Sequence, residues 1–264
     1  MQSSADRNEL SVASRSRAFV GVKGPDAEMY LDRMLSNDVA ALAPGESCEA
    51  LLLTPKARVI APMRVVRRAP DDFLLVTEPG LGETLKSELV RMRFAAKAEI
   101  ETEEHRSYVL LGASDGGIRN DEYGIPAVEV LDRDLPGDAR EASEEELERL
   151  RIAAATPRFG AEIDERVLPA EAGLDERAIS FTKGCFPGQE PVARLHYRGH
   201  ANRRLRVLEV ERVDPGTELL WRGKVVGRVT SAVPGLALGY VRTEVPDDAL
   251  IELAHGGIAR MRPA

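Results

Sequence analysis

The sequence predicts an α+β fold that gives way to an all-β unit at its C-terminal end. Three observations predict it. Strands and one amphipathic helix follow each other without βαβ regularity between residues 47 and 132. A capped helix then occupies 143–157. After residue 202 only short strands remain, separated by Gly, Pro and Asp turns. With 264 residues the chain is long enough for more than one compact unit.

In chain order, "GPDAEMYLDRMLSNDV" (24–39) reads as a helix, with Pro25 at its start and Met29, Leu31, Met34 and Leu35 as an apolar stripe. Residues 47–54, 57–68 and 72–78 read as strands, 82–94 as a helix, and 98–104, 106–113 and 125–132 as strands again. In 143–157 Ser143 is placed to cap, Glu146 stands at the capping-box position, and Pro157 stops the helix. "RRLRVLEVE", "TELLW", "KVVGRVTSAV", "LALGYVR" and "ALIELA" then predict a small barrel or sandwich, which puts a boundary near 200–203.

Composition excludes several classes. Charged residues are 30% of the chain and the net charge is −8, which disfavours a general binder of nucleic acid or anionic membrane. No window has the apolar length of a membrane span, and the first twenty residues are too polar for a signal peptide. Two cysteines, Cys48 and Cys185, make no disulfide framework and fit a reducing, cytoplasmic setting. Cys48 reads as structural.

The segment "FTKGCFPGQEPVARLHYRGH" (181–200) concentrates the chemistry. In an extended stretch Lys183 and Cys185 share a face, where an ammonium favours thiolate. "PGQEPVARLHYR" predicts a helix start with Pro191 in the first turn, so Cys185 precedes a helix N-terminus. Arg194, Arg198, Arg203, Arg204 and Arg206 follow, with no acidic residue between Glu190 and Glu209, and form a local cationic wall suited to carboxylates or phosphates. The plainer alternative stands beside this: a lone cysteine as a small core residue and arginines as a solvated face. His196 and His200 have the spacing of a metal pair. Gly199, the arginines and the shortage of further ligands argue against a metal. A Cys185–His196 dyad has no evident orienting carboxylate.

"KGCFPGQE" (183–190) resembles the K-G-C-[Y/F]-x-G-Q-E signature of the YgfZ-type folate-binding proteins, relatives of the glycine-cleavage T-protein. Phe186 stands where tyrosine is usual. Residues 22–46, 151–174 ("RIAAATPRFGAEIDERVLPAEAGL") and 227–242 resemble further motifs of that family, so the likeness runs along nearly the whole chain. The resemblance implies a clover leaf of three units around a folate-sized hole: 1–45 plus 143–200 as a discontinuous folate-binding α+β domain, 46–142 as an inserted α+β domain, and 201–264 as a C-terminal β-barrel. It implies tetrahydrofolate or a one-carbon derivative as ligand, iron–sulfur assembly proteins or client enzymes as partners, and a role in iron–sulfur cluster assembly or repair that uses Cys185, supported by Lys183. Lys183, Gln189, Glu190 and Arg194 are the expected folate contacts, with Cys185 at the pocket edge. Glu190 has an alternative role in capping the helix and pairing with Arg194.

The alternative activity is a folate-dependent aminomethyl- or methyltransferase of the T-protein type. Two departures from the T-protein pattern speak against it. Ala61 and Pro62 stand where the catalytic aspartate segment would be, and Ala153 stands where a pterin-holding glutamate would be, which also puts folate affinity in question. A third reading is a binding module with a residual cavity.

Overall fold

The structure, a computed structural model, describes residues 10–135 and 139–263. The first nine residues of the polar N-terminal stretch lie outside them.

Two five-stranded sheets, a closed barrel and four helices make up the described chain. The first strands are β1 (Ser11–Arg15) and β2 (Ala18–Lys23), followed by α1 (Ala27–Met34), β3 (Ser47–Leu53), β4 (Val59–Ala69), β5 (Asp72–Thr77), α2 (Gly82–Met92) and β6 (Glu99–Glu103). Then come β7 (Ser107–Leu111), β8 (Ile118–Arg119), β9 (Ala127–Leu131), β10 (Arg140–Glu141) and α3 (Glu144–Ala153). A single 3₁₀ turn at Pro169–Glu171 precedes α4 (Gln189–Arg198). The barrel holds β11 (Arg203–Glu209), β12 (Glu218–Trp221), β13 (Lys224–Val233), β14 (Leu236–Arg242), β15 (Leu250–Leu253) and β16 (Ile258–Met261), closed in the order β11-β14-β13-β12-β15-β16. Of the barrel and sandwich that the short strands allowed, the barrel forms, and closure leaves it no open edge.

One sheet has the order β3-β4-β5-β2-β6 and the other β10-β1-β7-β9-β8. Adjacent strands β1 and β2 therefore enter different sheets, and so do β6 and β7. The strand-rich stretch expected as one unit is divided at the β6–β7 connection. The core of the first sheet joins Val20 and Val22 of β2 and Leu31 of α1 to Leu52, Ala61, Leu75 and Ile100. The sheets thus cut across the expected boundary at 45/46, because β2 and α1 bury their apolar faces against β3–β6. A second core joins Ala13, Val109, Leu111 and Ala127 to Leu147 of α3.

Local signals account for most ends. Ser143 accepts a hydrogen bond from the Glu146 amide at 3.2 Å, as its cap position predicts. The Glu146 carboxylate turns to Arg140 at 2.6 Å instead of closing the box. The helix stops at Ala153, before Pro157, and Ala155 takes a left-handed φ of 53°. In α1 the buried stripe is Ala27, Tyr30, Leu31 and Met34. Met29 points outward at 47% exposure, and the helix ends at Met34 rather than 39. No described helix is long and apolar enough to cross a membrane.

Candidate functional site

A cleft opens where the two sheets meet the 156–178 segment, and residues from each of these parts line it. Its apolar wall is Leu51, Met63, Val76, Ile163 and Leu174. Its polar lining is set by the crossing between sheets. Arg17 lies in the two-residue link from β1 to β2, so the switch of sheet carries its guanidinium across the cleft. There it meets Glu122 at 2.5 Å, Glu129 at 3.3 Å and Glu78 at 3.8 Å. Arg15 adds a second contact to Glu122 at 2.8 Å.

The carboxylates differ in state. Burial pushes Glu122 up, but Arg17 and Arg15 outweigh it and leave the group below the usual carboxylate range. Glu78 ends above that range: burial raises it, the distant Arg17 offsets this only in part, and Glu122 adds repulsion. Arg17 is held charged, since its three carboxylates overcome its own desolvation. Glu129, on β9, accepts from the Ser107 hydroxyl at 2.5 Å and the Asn120 amide at 3.3 Å. The Thr156 hydroxyl also lines the cleft and is buried with no hydrogen-bond partner.

The more exposed end is a second ion cluster. Arg64 meets Glu49 and Asp121, each at 3.0 Å, and Arg177 grips the same Glu49, with Nη2 at 2.9 Å from Oε1. Five carboxylates and three arginines thus line the cleft, a formal −2. That balance does not favour a ligand that is only an anion. The carboxylates of the cleft offer acceptors to the N–H donors of a ligand.

The residues expected from the sequence lie elsewhere. Cys185 is exposed and is not among the lining residues of this cleft, nor are Lys183, Gln189, Glu190 and Arg194. The shared face expected for Lys183 and Cys185 does not form. The segment is a loop rather than a strand, and it turns the ammonium inward while the thiol faces out. Lys183 Nζ, with its side chain 1% exposed, donates to the backbone carbonyls of Asp32, Leu35 and Asn37 and pairs with the Asp32 carboxylate at 3.0 Å. It thereby satisfies carbonyls that the end of α1 leaves open. Gln189 reaches back to the Gly184 carbonyl at 3.5 Å, and no Glu190–Arg194 ion pair forms, both side chains being exposed.

The cationic wall is partly neutralised: Arg203 pairs with Glu171 at 3.1 Å and stacks over Tyr240, and Arg206 pairs with Asp247 at 2.7 Å. His196 stacks on Phe181 with ring centroids 4.0 Å apart and has Asp175 at 4.0 Å, a carboxylate far off in sequence. Cys48 is half-buried on β3, where burial pushes its thiol up to about 11, as fits a structural residue.

Ala153 is exposed at the end of α3 and is not among the residues that line the cleft. Pro62 does line it, while Ala61 is fully buried in the sheet core. The cleft's own carboxylates, Glu78, Glu122 and Glu129, were not found from the sequence. Glu129 left a usable signal: an acid within the apolar run "IPAVEVLD" is a charge on a buried strand and demands a partner.

No protein-family profile matches the chain. It is 28% identical to an uncharacterized protein of Haemophilus influenzae over 81% of both chains. It is 26% identical to a putative chloroplastic transferase of Arabidopsis thaliana, over 85% of this chain and 63% of that one. It is 28% identical to the tRNA-modifying protein YgfZ of Edwardsiella ictaluri, over 70% of this chain and 66% of that one. Its fold matches the glycine cleavage system aminomethyltransferase T of Bartonella henselae with a TM-score of 0.85 at 21% identity, covering 98% of this chain and 86% of the other.

Proposed function

We propose that this chain, a YgfZ-type member of the glycine-cleavage T-protein superfamily, is a tetrahydrofolate-binding accessory protein of the cytoplasm that supports iron–sulfur cluster assembly or repair through Cys185. The observation that carries the reading is the mixed lining of the central cleft. Its chemistry fits a reduced folate. The carboxyl of Glu78, which has no close hydrogen bond of its own, would bond the polar edge of a pteridine, and Val76, Leu51 and Leu174 would cover its ring. Arg64 and Arg177 would hold the carboxylates of the glutamyl tail. Bound tetrahydrofolate supplies the nitrogen atoms that carry one-carbon units.

Cys185 stands apart from the cleft on an exposed loop ahead of α4. Its place suits contact with another protein better than contact with a ligand in the cleft. The partners in this reading are iron–sulfur assembly proteins or client enzymes, and the relatives bearing the name tRNA-modifying protein fit a client whose product is modified tRNA. Replacing Cys185 by Ala is expected to leave folding and folate affinity intact while abolishing rescue of iron–sulfur enzyme activity in cells that lack the protein. Full rescue by the variant would remove the thiol from the account.

A further inference from the structure

Ala61 and Pro62 give this part of β4 no carboxyl, yet one stands beside Pro62 in the cleft. Strands β4 and β5 pair with Met63 opposite Thr77. The Thr77 hydroxyl donates to the Pro62 carbonyl at 2.6 Å, which ties the end of β5 to that residue. Glu78 is the next residue, so it leaves the strand alongside Pro62, and both line the cleft. Resting on the folate reading, we infer that Glu78 is the proton-exchanging carboxyl of the cleft, supplied from the end of β5.

The surroundings support this role. Glu122 is saturated by Arg15 and Arg17, and Glu129 by Ser107, Asn120 and Arg17. Glu78 has one ion-pair partner, Arg17 at 3.8 Å, and no closer hydrogen bond. The charged groups acting on it are Arg17 and Arg15 from the β1–β2 region, Glu122 from the 120–122 loop and Arg158 beyond α3. Burial together with Glu122 favours its neutral form, and the three arginines oppose them, with the net result that Glu78 holds its proton more tightly than an ordinary glutamate. It is thus the lining carboxylate whose oxygen is both free to bond a ligand and inclined to carry a proton.

The step is a proton transfer only. The O–H bond of Glu78 breaks with its electron pair left on the carboxylate oxygen, and an N–H bond forms from the lone pair of a ligand ring nitrogen. Nothing is oxidised or reduced, and Arg17 faces the resulting carboxylate. Whether the proton rests on Glu78 or on the ligand, the complex holds one proton more than the ionised Glu78 and the free ligand. Binding must then weaken as pH rises above the pKa of Glu78.

The test is the pH dependence of tetrahydrofolate affinity by calorimetry, on wild type, Glu78→Gln and Glu78→Asp. The wild-type Kd is expected to rise toward tenfold per pH unit once the pH passes the raised pKa of Glu78. Glu78→Gln should be flat within about twofold, and Glu78→Asp should restore the slope. Parallel slopes in wild type and Glu78→Gln would overturn the inference while leaving the folate reading intact. Absence of binding in all three proteins would overturn the folate reading itself.

A ligand-free readout stands beside it. A raised acid pKa contributes stability that is present below the unfolded value and lost as pH rises through the folded one. Glu78→Gln should therefore melt above wild type at about pH 8 and level with it at about pH 4. An equal or lower midpoint at pH 8 would also count against Glu78.

Discussion

At the scale of single residues, Lys183 carries the plainest prediction. Its buried ammonium serves three carbonyls and a carboxylate at the end of α1. Lys183→Ala should cost about 3 kcal/mol in urea unfolding, since carbonyls and an acid are left without their partner. A loss of function in that variant would then follow from lost structure, and an undiminished stability would return Lys183 to the chemistry of Cys185. The sequence placed these two residues on one face because it treated 181–187 as extended. The fold instead bends the segment, so that alternation does not apply. The reverse holds for Glu78 and Arg17. Neither stands in a motif, and only the pairing of strands distant in sequence makes them neighbours.

Among the elements, Gly188 holds α4 in place. It caps the helix at a left-handed φ of 83°, and an added Cβ would lie 2.7 Å from the Thr54 carbonyl oxygen and 3.1 Å from Cα of Ala57. Gly188→Ala is expected to lower stability by roughly 2 kcal/mol or more, through backbone strain and displacement of the β3–β4 turn, as read by denaturant midpoint. A neutral substitution would mean that the helix start is loosely held. Helices and central strands were legible because period and capping are local: Ser143 and its amide partner, the strands around 47–77 and the barrel strands all follow from nearby residues. Strands β1 and β2 carry no such local signal, since "SVASRSRAFVGVK" mixes polar residues into short apolar runs. Their assignment to two sheets depends on what they pack against, which no local pattern encodes.

For the whole molecule, the pieces are locked together by buried charge. Arg151 of α3, 2% exposed, bonds Glu162 at 3.0 Å and Glu148 at 2.7 Å, and Glu162 accepts from Ser231 of the barrel at 2.6 Å. The Tyr240 hydroxyl donates to the Glu162 backbone carbonyl at 2.8 Å. The residues of "RIAAATPRFGAEI" thus join α3 to the barrel, while Thr156, Pro157 and Ile163 of the same stretch line the cleft. Glu162→Ala, which removes one of the two carboxylates on the buried guanidinium and the acceptor of the Ser231 hydroxyl, should cost about 3 kcal/mol and loosen the barrel, seen as a lowered unfolding midpoint.

Folate binding in the cleft framed by these units is tested most directly by the thermal midpoint of wild type and Cys185→Ala with increasing tetrahydrofolate. Both proteins should rise, reaching about 2.7 kcal/mol of added stability at a hundredfold excess over Kd. A midpoint that stays fixed in both across that range would contradict a folate-binding cleft.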